Sequence, residues 1–220
     1  MTGAILFDVD GTLVDSNELH AAAWQAAFRH FGVALPILEI RDQIGKGGDN
    51  LIPALLPKPL VERQEEIEDF RSELFGRDYL PRAAPFPGVR ALFERIYADG
   101  VKIVLATSAR QAELDFHISL LGCADLIFAA TSKDDVDRSK PCPDIFEAAL
   151  ARVAPLGPDQ AIIVGDSPWD VMAAARAGLR AVAVRCGGFD ERWLREAGAA
   201  ALYDGPEELL ACYPEWLSPA

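Results

Sequence analysis

Two carboxylates separated by one residue follow the first apolar run of the chain. Asp8 and Asp10 belong to the segment Asp8-Val9-Asp10-Gly11-Thr12, which comes directly after Ala4–Phe7. Because Gly11 permits a sharp turn, one carboxylate can act as a nucleophile while the other transfers protons. Aspartates are also common turn formers at the junction of a strand and a loop. The segment alone therefore leaves a catalytic and a structural interpretation open.

Two further segments carry groups that bind phosphate. Thr107 and Ser108 follow the apolar run Val101–Ala106, and a helix is expected to begin near Arg110. A hydroxyl and free amides at a helix start can cradle an anion, although simple N-capping explains the same residues. Lys140 is followed by prolines that stiffen the chain and fix the direction of its side chain. A lone lysine is otherwise usually a solvated surface residue.

A second pair of carboxylates follows the apolar run Ala161–Gly165. It lies in the segment Gly165-Asp166-Ser167-Pro168-Trp169-Asp170. Carboxylates at a strand end and in the next helical turn suit Mg²⁺, which prefers oxygen ligands and retains several waters. In open α/β sheets, ligands bind beyond the carboxyl ends of the strands. We therefore expect the four segments to meet at one edge of a sheet.

Short apolar runs alternate with amphipathic helical segments along most of the chain. The runs lack polar alternation and are bounded by Gly, Asp or Ser, which is typical of parallel strands buried on both faces. They are Ala4–Phe7, Val101–Ala106, Leu126–Ala129, Ala161–Gly165, Ala181–Val184 and Ala200–Tyr203. This alternation predicts an α/β fold with a doubly wound parallel sheet.

Residues 16–87 interrupt the alternation. They contain no convincing strand but three helical patterns, which cover Asn17–Phe31, Asp49–Leu56 and Pro59–Tyr79. The simplest topology inserts residues 16–87 as an all-helical cap domain into a core domain formed by residues 1–15 and 88–220. The two linkers, near Asp15–Ser16 and Ala83–Gly88, would then act as a hinge.

Composition and charge limit the partners and the compartment. The chain has 220 residues and carries 34 acidic against 21 basic side chains, a net charge of −13. Nucleic acid binding needs a basic face, so we expect no nucleic acid partner. No apolar run approaches the roughly 18 residues of a membrane span, and only three residues precede the first strand, so we expect neither a span nor a signal peptide. Four scattered cysteines indicate reduced thiols in a cytoplasmic protein.

The four segments and their order resemble the motifs of the haloacid dehalogenase-like (HAD) superfamily. The sequence is similar to the subfamily with a helical cap after the first motif, which includes phosphoglycolate phosphatases and β-phosphoglucomutase. The similarity covers nearly the whole chain, and its most specific parts are Gly-Asp-Ser-x-x-Asp and Lys-Pro-x-Pro-Asp-Ile-Phe. It implies a Rossmann-like core and a Mg²⁺-dependent phosphatase that acts on a small phosphomonoester.

The resemblance also implies roles for the two aspartate motifs. Asp8 is the nucleophile that forms an aspartyl-phosphate, and Asp10 is the general acid and base. Mg²⁺ is held by the carboxylate of Asp8, the backbone carbonyl of Asp10 and Asp166. Gly165 and Ser167 belong to the loop around the metal.

Phosphate binding is assigned to the other two motifs in the same way. The hydroxyl of Thr107 and the amide of Ser108 bind the phosphoryl oxygens, while Lys140 neutralises charge on Asp8 and the phosphoryl group. Asp170 orders the metal loop or pairs with Lys140 rather than binding the ion. An acidic surface repels a phosphate substrate, but the ion and the lysine set the field inside the cleft.

Three residues are candidates for contact with the leaving group. Lys46 lies in the glycine-rich loop Gly45–Gly48 and is interpreted as a substrate-facing charge, with a solvated lysine on a flexible loop as the alternative. His20 stands where β-phosphoglucomutase-like members have a histidine near the hinge and the general acid. Arg110 either faces the substrate or lies exposed on its helix.

Other functions remain open at this stage. A β-phosphoglucomutase-like phosphomutase shares the chemistry, but Gly47 stands about where the mutases have an arginine. Dehalogenases and phosphonatases lack the aspartate at Asp10, and receiver-like signalling modules lack a large cap. A non-catalytic phospho-ligand binding protein would not need the intact motifs. We expect a small phosphorylated metabolite as partner, and a monomer or small homo-oligomer.

Overall fold

A six-stranded parallel sheet organises the computed structural model, which describes residues 2–217. The strands are β1 (Ala4–Phe7), β2 (Val14–Asp15), β3 (Ala84–Pro85), β4 (Lys102–Ala106), β5 (Ala129–Thr131), β6 (Ala161–Gly165), β7 (Arg180–Val184) and β8 (Ala201–Tyr203). The sheet has the order β5-β4-β1-β6-β7-β8, and each neighbouring pair in it is parallel. The predicted α/β fold with a doubly wound parallel sheet is confirmed.

The predicted strand bounds hold except at the β5 edge. β1 and β6 have the predicted residues, and β4, β7 and β8 differ by one residue at their first position. The prediction of a strand over Leu126–Ala129 is wrong, because Ala124–Leu126 form a 3₁₀ turn and the strand covers Ala129–Thr131. The chain joins the sheet from Phe128 onward, where the amide of Phe128 donates to the carbonyl of Ile103 at 2.8 Å. An apolar run cannot by itself distinguish a turn from a strand.

The helices complete the layers. They are α1 (Asn17–His30), α2 (Ile37–Arg41), α3 (Gly48–Leu55), α4 (Lys58–Val61), α5 (Gln64–Leu74), α6 (Val89–Ala98), α7 (Gln111–Leu121), α8 (Asp144–Ala151), α9 (Pro168–Arg176), α10 (Glu191–Ala197) and α11 (Pro206–Ala211). The helix predicted over Pro59–Tyr79 is divided into α4, α5 and a π-helical turn at Phe75–Tyr79. Within residues 2–217 no helix combines the length and the apolar character that a membrane span requires.

Both faces of the sheet are covered, which explains why the strands are apolar throughout. Ile5 and Phe7 pack into a cluster with residues of α6, α7 and α11. Ala4 and Leu6 pack on the other face with residues of α8, α9 and α10. Because successive side chains of a strand point to opposite faces, β1 has to be apolar at every position. The sheet therefore forms a rigid support for the loops at its carboxyl edge.

The chain enters and leaves residues 16–87 at one place. β2 and β3 form a short antiparallel pair, with Val14 opposite Pro85 and Asp15 opposite Ala84. The expectation that residues 16–87 contain no strand is therefore wrong at β3. The sequence does not indicate this strand, because Pro85 cannot donate a hydrogen bond to a neighbouring strand and proline is typical of turns and strand edges. The two segments predicted as separate linkers lie side by side.

Candidate active site

Three neighbouring strands end at the candidate site. Asp8 follows β1, Thr107 follows β4 and Asp166 follows β6. Because β4 and β6 flank β1 in a parallel sheet, the three residues lie at the same edge. Lys140, which precedes α8, reaches this edge as well. The structure thus brings the four predicted segments together.

Lys140 is buried between two carboxylates. Its side chain is 1% exposed, and Nζ lies 2.5 Å from Oδ1 of Asp8 and 2.7 Å from Oδ1 of Asp170. Burial disfavours the charged form of a lysine, but Asp170 and Asp8 outweigh this effect and raise the pKa of Lys140. Lys140 is therefore an ammonium directed at Asp8, and the interpretation as a solvated surface lysine is wrong.

Three buried carboxylates cluster at this site, and two of them contact Lys140. One oxygen each of Asp8, Asp166 and Asp170 lie within 4.8 Å of one another. Burial raises the pKa of Asp8 and, together with the charge of Asp170, raises the pKa of Asp166 to about 7. Carboxylates concentrated in this way need additional positive charge to ionise together. The donors are all oxygen, which fits a hard divalent cation.

Asp166 is held in place through both of its oxygens. Thr12 donates its hydroxyl to Oδ1 at 3.1 Å, and Asn17 donates its side-chain amide to Oδ2 at 2.8 Å. Gly187 packs so closely that a Cβ there would lie under 3.0 Å from Asp166. Asn17 was not predicted, because a polar residue at the start of a helix usually caps that helix.

Asp10 turns its carboxylate toward hydroxyl and imidazole groups. Ser16 donates its hydroxyl to Oδ1 at 2.6 Å, while Nε2 of His20 lies 2.9 Å and Nε2 of His117 lies 3.2 Å from the same oxygen. Thr107 donates to Oδ2 at 3.4 Å. Burial alone would raise the pKa of Asp10, but the two imidazoles outweigh it and hold this pKa well below its usual range. Asp10 is thus ionised in this arrangement.

His117 was not predicted. It is fully buried on α7, ten positions after Thr107, and reaches Asp10 from the core. Burial lowers the pKa of His117, but the Asp10 carboxylate more than compensates and the pKa is raised. No spacing in the sequence indicates this contact, because it depends on how α7 packs across the sheet edge.

Thr107 and Ser108 form the turn between β4 and α7. The hydroxyl of Thr107 accepts a hydrogen bond from the amide of Ala109 at 3.0 Å, so it stabilises the turn as well as contacting Asp10. The hydroxyl of Ser108 is buried and has no hydrogen-bond partner. Ser108 also lines the cavity beside Asp8. An anion bound there would find a donor in this hydroxyl.

The loop after β6 is fixed by Ser167 and Asp170. The hydroxyl of Ser167 donates to Oδ2 of Asp170 at 2.5 Å, and its amide donates to the same oxygen at 3.1 Å. This reciprocal cap begins α9 and leaves Oδ1 of Asp170 for Lys140. A Cβ at Gly165 would lie under 3.0 Å from Asp170. Asp170 therefore both orders the loop and pairs with Lys140.

Side chains from α1, α5 and the loop before α3 close the cavity over the sheet edge. Its lining includes Asp8, Asp10, Thr107, Ser108 and Lys140 on one side, and His20, Trp24, Lys46 and Arg71 on the other. Arg71 was not predicted; it donates to Nδ1 of His20, and its guanidinium lies 4.5 Å from the ring centre of Phe75. Two cations therefore face the catalytic candidates from residues 16–87.

Lys46 and Arg110 occupy different environments. Lys46 is partly buried, donates to Gln43 at 2.5 Å and lies 3.9 Å from the ring centre of Trp169. Burial lowers the pKa of Lys46, and no carboxylate among residues 2–217 lies within ion-pair distance of it. Arg110 instead pairs with Asp69 of α5 at 2.7 Å and is absent from the cavity lining. Lys46 lines the cavity that contains Asp8, whereas Arg110 lines a neighbouring cavity that shares Arg71 and Ser108 with it.

Comparison with known proteins agrees with this arrangement. The family model described as haloacid dehalogenase-like hydrolase matches residues 5–184. The chain is 32% identical over 185 residues to a phosphoglycolate phosphatase of Cereibacter sphaeroides, covering 80% of this chain and 82% of the relative. It is 28% identical over 208 residues to the chloroplastic protein SUPPRESSOR OF QUENCHING 1 of Arabidopsis thaliana, covering 91% of this chain but only 19% of that protein. The solved structure of a hydrolase from Pseudomonas syringae has a TM-score of 0.90 and 28% identity, covering 98% of this chain and 99% of that one.

Proposed function

The chain belongs to the haloacid dehalogenase-like hydrolases, and we propose that it is a Mg²⁺-dependent phosphatase of a small phosphomonoester. With phosphatases among its relatives, it is a hydrolase that acts on phosphate esters. The observation that carries the finer proposal is the buried carboxylate of Asp8, with the ammonium of Lys140 at 2.5 Å and the carboxylate of Asp166 nearby.

Asp8, Asp166 and the backbone carbonyl of Asp10 are the groups that would hold the metal ion. The buried carboxylates outnumber the single ammonium of Lys140, so the site has net negative charge that a divalent cation would offset. When bound, Mg²⁺ would stabilise the negative charge that develops on the phosphoryl oxygens.

Asp8 and Asp10 have different roles in the proposed reaction. Asp8 attacks phosphorus, the bond from phosphorus to the ester oxygen breaks, and Asp10 protonates that oxygen as the alcohol leaves. Asp10 then accepts a proton from water, which attacks phosphorus and breaks the bond to Asp8. Because the imidazoles of His20 and His117 favour the ionised form, Asp10 has to take up a proton before it can act as the acid.

Residues that line the cavity would bind the phosphate group. Lys140 offsets the charge of the phosphoryl group, Thr107 positions the turn, and the unpaired hydroxyl of Ser108 is free to donate to a phosphoryl oxygen. Since phosphoryl transfer depends mainly on positioning and charge stabilisation, these contacts supply most of what the protein contributes.

We assign residues 16–87 to a cap domain and residues 1–15 and 88–220 to the core. The proposed cap has an apolar cluster of its own, which includes Trp24, Phe28 and Ile40. Lys46 provides positive charge on the side of the cavity where the leaving group would lie, next to Arg71, which lies 3.6 Å from the carboxylate of Glu113. A small substrate with a polar or anionic leaving group suits this wall.

A phosphomutase is the alternative with the same chemistry. At Gly47, about where the mutases have an arginine, a Cβ would lie under 3.0 Å from the hydroxyl of Ser139. No side chain fits there while the loop packs against Ser139. This observation favours water, rather than a second sugar phosphate, as the acceptor.

Phosphate release from a panel of monoesters tests the proposal. The panel contains phosphoglycolate, sugar phosphates and nucleoside monophosphates, each with Mg²⁺ or with EDTA, and the control is the variant Asp8→Asn. We expect release that requires both Mg²⁺ and Asp8. Full activity of Asp8→Asn, or release that EDTA does not affect, would overturn the mechanism.

A further inference from the structure

Asn17 joins the proposed cap to the proposed metal site. It is the first residue of α1 and is 4% exposed. Its Nδ2 lies 2.8 Å from Oδ2 of Asp166 and 3.0 Å from the carbonyl oxygen of Gly187. A side-chain amide has two N–H donors, and both are used here. One cap side chain thus connects the loop after β6 with the loop after β7.

The neighbouring backbone leaves room for this contact. Gly11 has a φ of +79°, and a Cβ there would lie under 3.0 Å from both Nδ2 of Asn17 and Oδ2 of Asp166. A Cβ at Gly187 would likewise lie under 3.0 Å from Oδ2 of Asp166. The amide and the carboxylate can meet only because both positions are glycine.

The second oxygen of Asp166 is fixed from the core. Thr12 donates to Oδ1 at 3.1 Å and also lies 3.3 Å from Oδ2 of Asp8. With one donor from the core and one from α1, the carboxylate of Asp166 has a single orientation. The donor from α1 is the one that depends on the position of the cap.

We propose that Asn17 is a positioning residue, and that α1 of the proposed cap contributes to metal affinity through its contact with Asp166. The proposal rests on the proposed function, because it takes Asp166 to be a ligand of Mg²⁺. Residues that orient metal ligands typically change metal affinity by 10- to 100-fold when they are removed. Since coupling between two sites is reciprocal, bound Mg²⁺ in turn favours the arrangement in which α1 lies against the core.

Mg²⁺ titration by calorimetry, without substrate, tests the link. Asn17→Ala should weaken Mg²⁺ binding by about 10- to 100-fold relative to the unaltered chain. The matched control is Asn50→Ala, because Asn50 also crosses to the core, donating to the carbonyls of Ser139 and Lys140 at 2.9 and 3.3 Å, without touching Asp166. Asn50→Ala should leave the Mg²⁺ affinity unchanged.

Thermal unfolding in EDTA separates positioning from folding. We expect Asn17→Ala and Asn50→Ala to unfold at similar temperatures. If Asn17→Ala does not fold, Asn17→Ser replaces it in the Mg²⁺ titration, because serine is too short to reach Asp166. Unchanged affinity in the Asn17 variants, or an equal loss in Asn50→Ala, would overturn the link but not the proposed function. Undetectable Mg²⁺ binding by the unaltered chain, or undiminished binding by Asp166→Asn, would overturn the proposed function itself.

Discussion

Asp10 differs from Asp8 in the groups that surround its carboxylate. Asp8 faces Lys140, whereas Asp10 faces the hydroxyl of Ser16 and two imidazoles. Burial raises the pKa of Asp8, and the imidazoles lower the pKa of Asp10. A nucleophile has to be ionised and an acid protonated, so the proposed roles require added positive charge beside Asp8 and the uptake of a proton by Asp10.

Substitution of Asp10 separates proton transfer from metal binding. Asp10→Asn keeps the backbone carbonyl, so Mg²⁺ affinity should be largely retained in a calorimetric titration. The turnover number should fall by about 10²- to 10⁴-fold, the usual contribution of general acid–base catalysis. A variant that lost Mg²⁺ affinity would contradict the assignment of the carbonyl as the ligand.

Lys140 also contributes to stability, because its removal leaves buried carboxylates without a counter-charge. Lys140→Met should lower the free energy of unfolding by about 3–5 kcal/mol in metal-free buffer, as measured by urea denaturation. The matched control is Lys133→Met, since Lys133 is partly exposed and pairs with Glu68 at 2.6 Å. The control should lose less, because Lys133 is only partly buried and Gln64 still donates to Glu68 in its absence. Equal losses would show that the burial of Lys140 does not contribute to the free energy of unfolding.

At the scale of elements, the sheet and its strand-end loops could be predicted, whereas the contacts between helices could not. Asp8, Thr107 and Asp166 were found because each follows an apolar run, and a parallel sheet places such residues at one edge. Asn17, Arg71 and His117 lie on helices, and their contacts depend on how those helices cross the sheet edge. Periodicity gives the buried face of a helix but not the partner that this face meets.

The loop before α3 offers a test of cap placement. Gly47→Ala should displace this loop, because the added Cβ would meet Ser139 under 3.0 Å away. A displacement of about 1 Å can reduce turnover roughly 10²-fold when it disturbs the reacting geometry. Gly76→Ala is the matched control, since nothing lies within 4 Å of a Cβ there. Steady-state kinetics should show a lower kcat for Gly47→Ala only, and equal effects would contradict the packing argument.

On the scale of the whole molecule, the net charge of −13 and an anionic substrate are compatible because charge is distributed unevenly. Lys140 is buried at the sheet edge, while Lys46 and Arg71 line the opposite wall of the cavity. Asp8, Asp10 and Glu113 line the same cavity, and Glu113 lies 3.6 Å from Arg71. The field at the site would therefore attract a phosphate only once a divalent cation offsets these carboxylates.

Stability should depend on pH and Mg²⁺ together. Folding raises the pKa of Asp166 from 3.8 to about 7, mainly through burial. The protonated side chain therefore contributes stability that is fully present below pH 3.8 and is lost as the pH rises through about 7. In EDTA, the unaltered chain should lose this contribution progressively between about pH 4 and pH 7, and Asp166→Asn should not.

Excess Mg²⁺ should restore the stability that the folded state loses when Asp166 ionises at high pH. At about 100 times its Kd, the ion stabilises the folded state by about 2.7 kcal/mol, which corresponds to a rise in Tm of roughly 5–10 °C for a chain of this size. Near pH 5.5, protons compete with the ion for Asp166, so the same Mg²⁺ concentration should raise Tm less than it does near pH 8. Differential scanning fluorimetry at both pH values measures the difference. An equal rise at both, or a rise that persists in Asp166→Asn, would mean that Mg²⁺ binds elsewhere on the molecule.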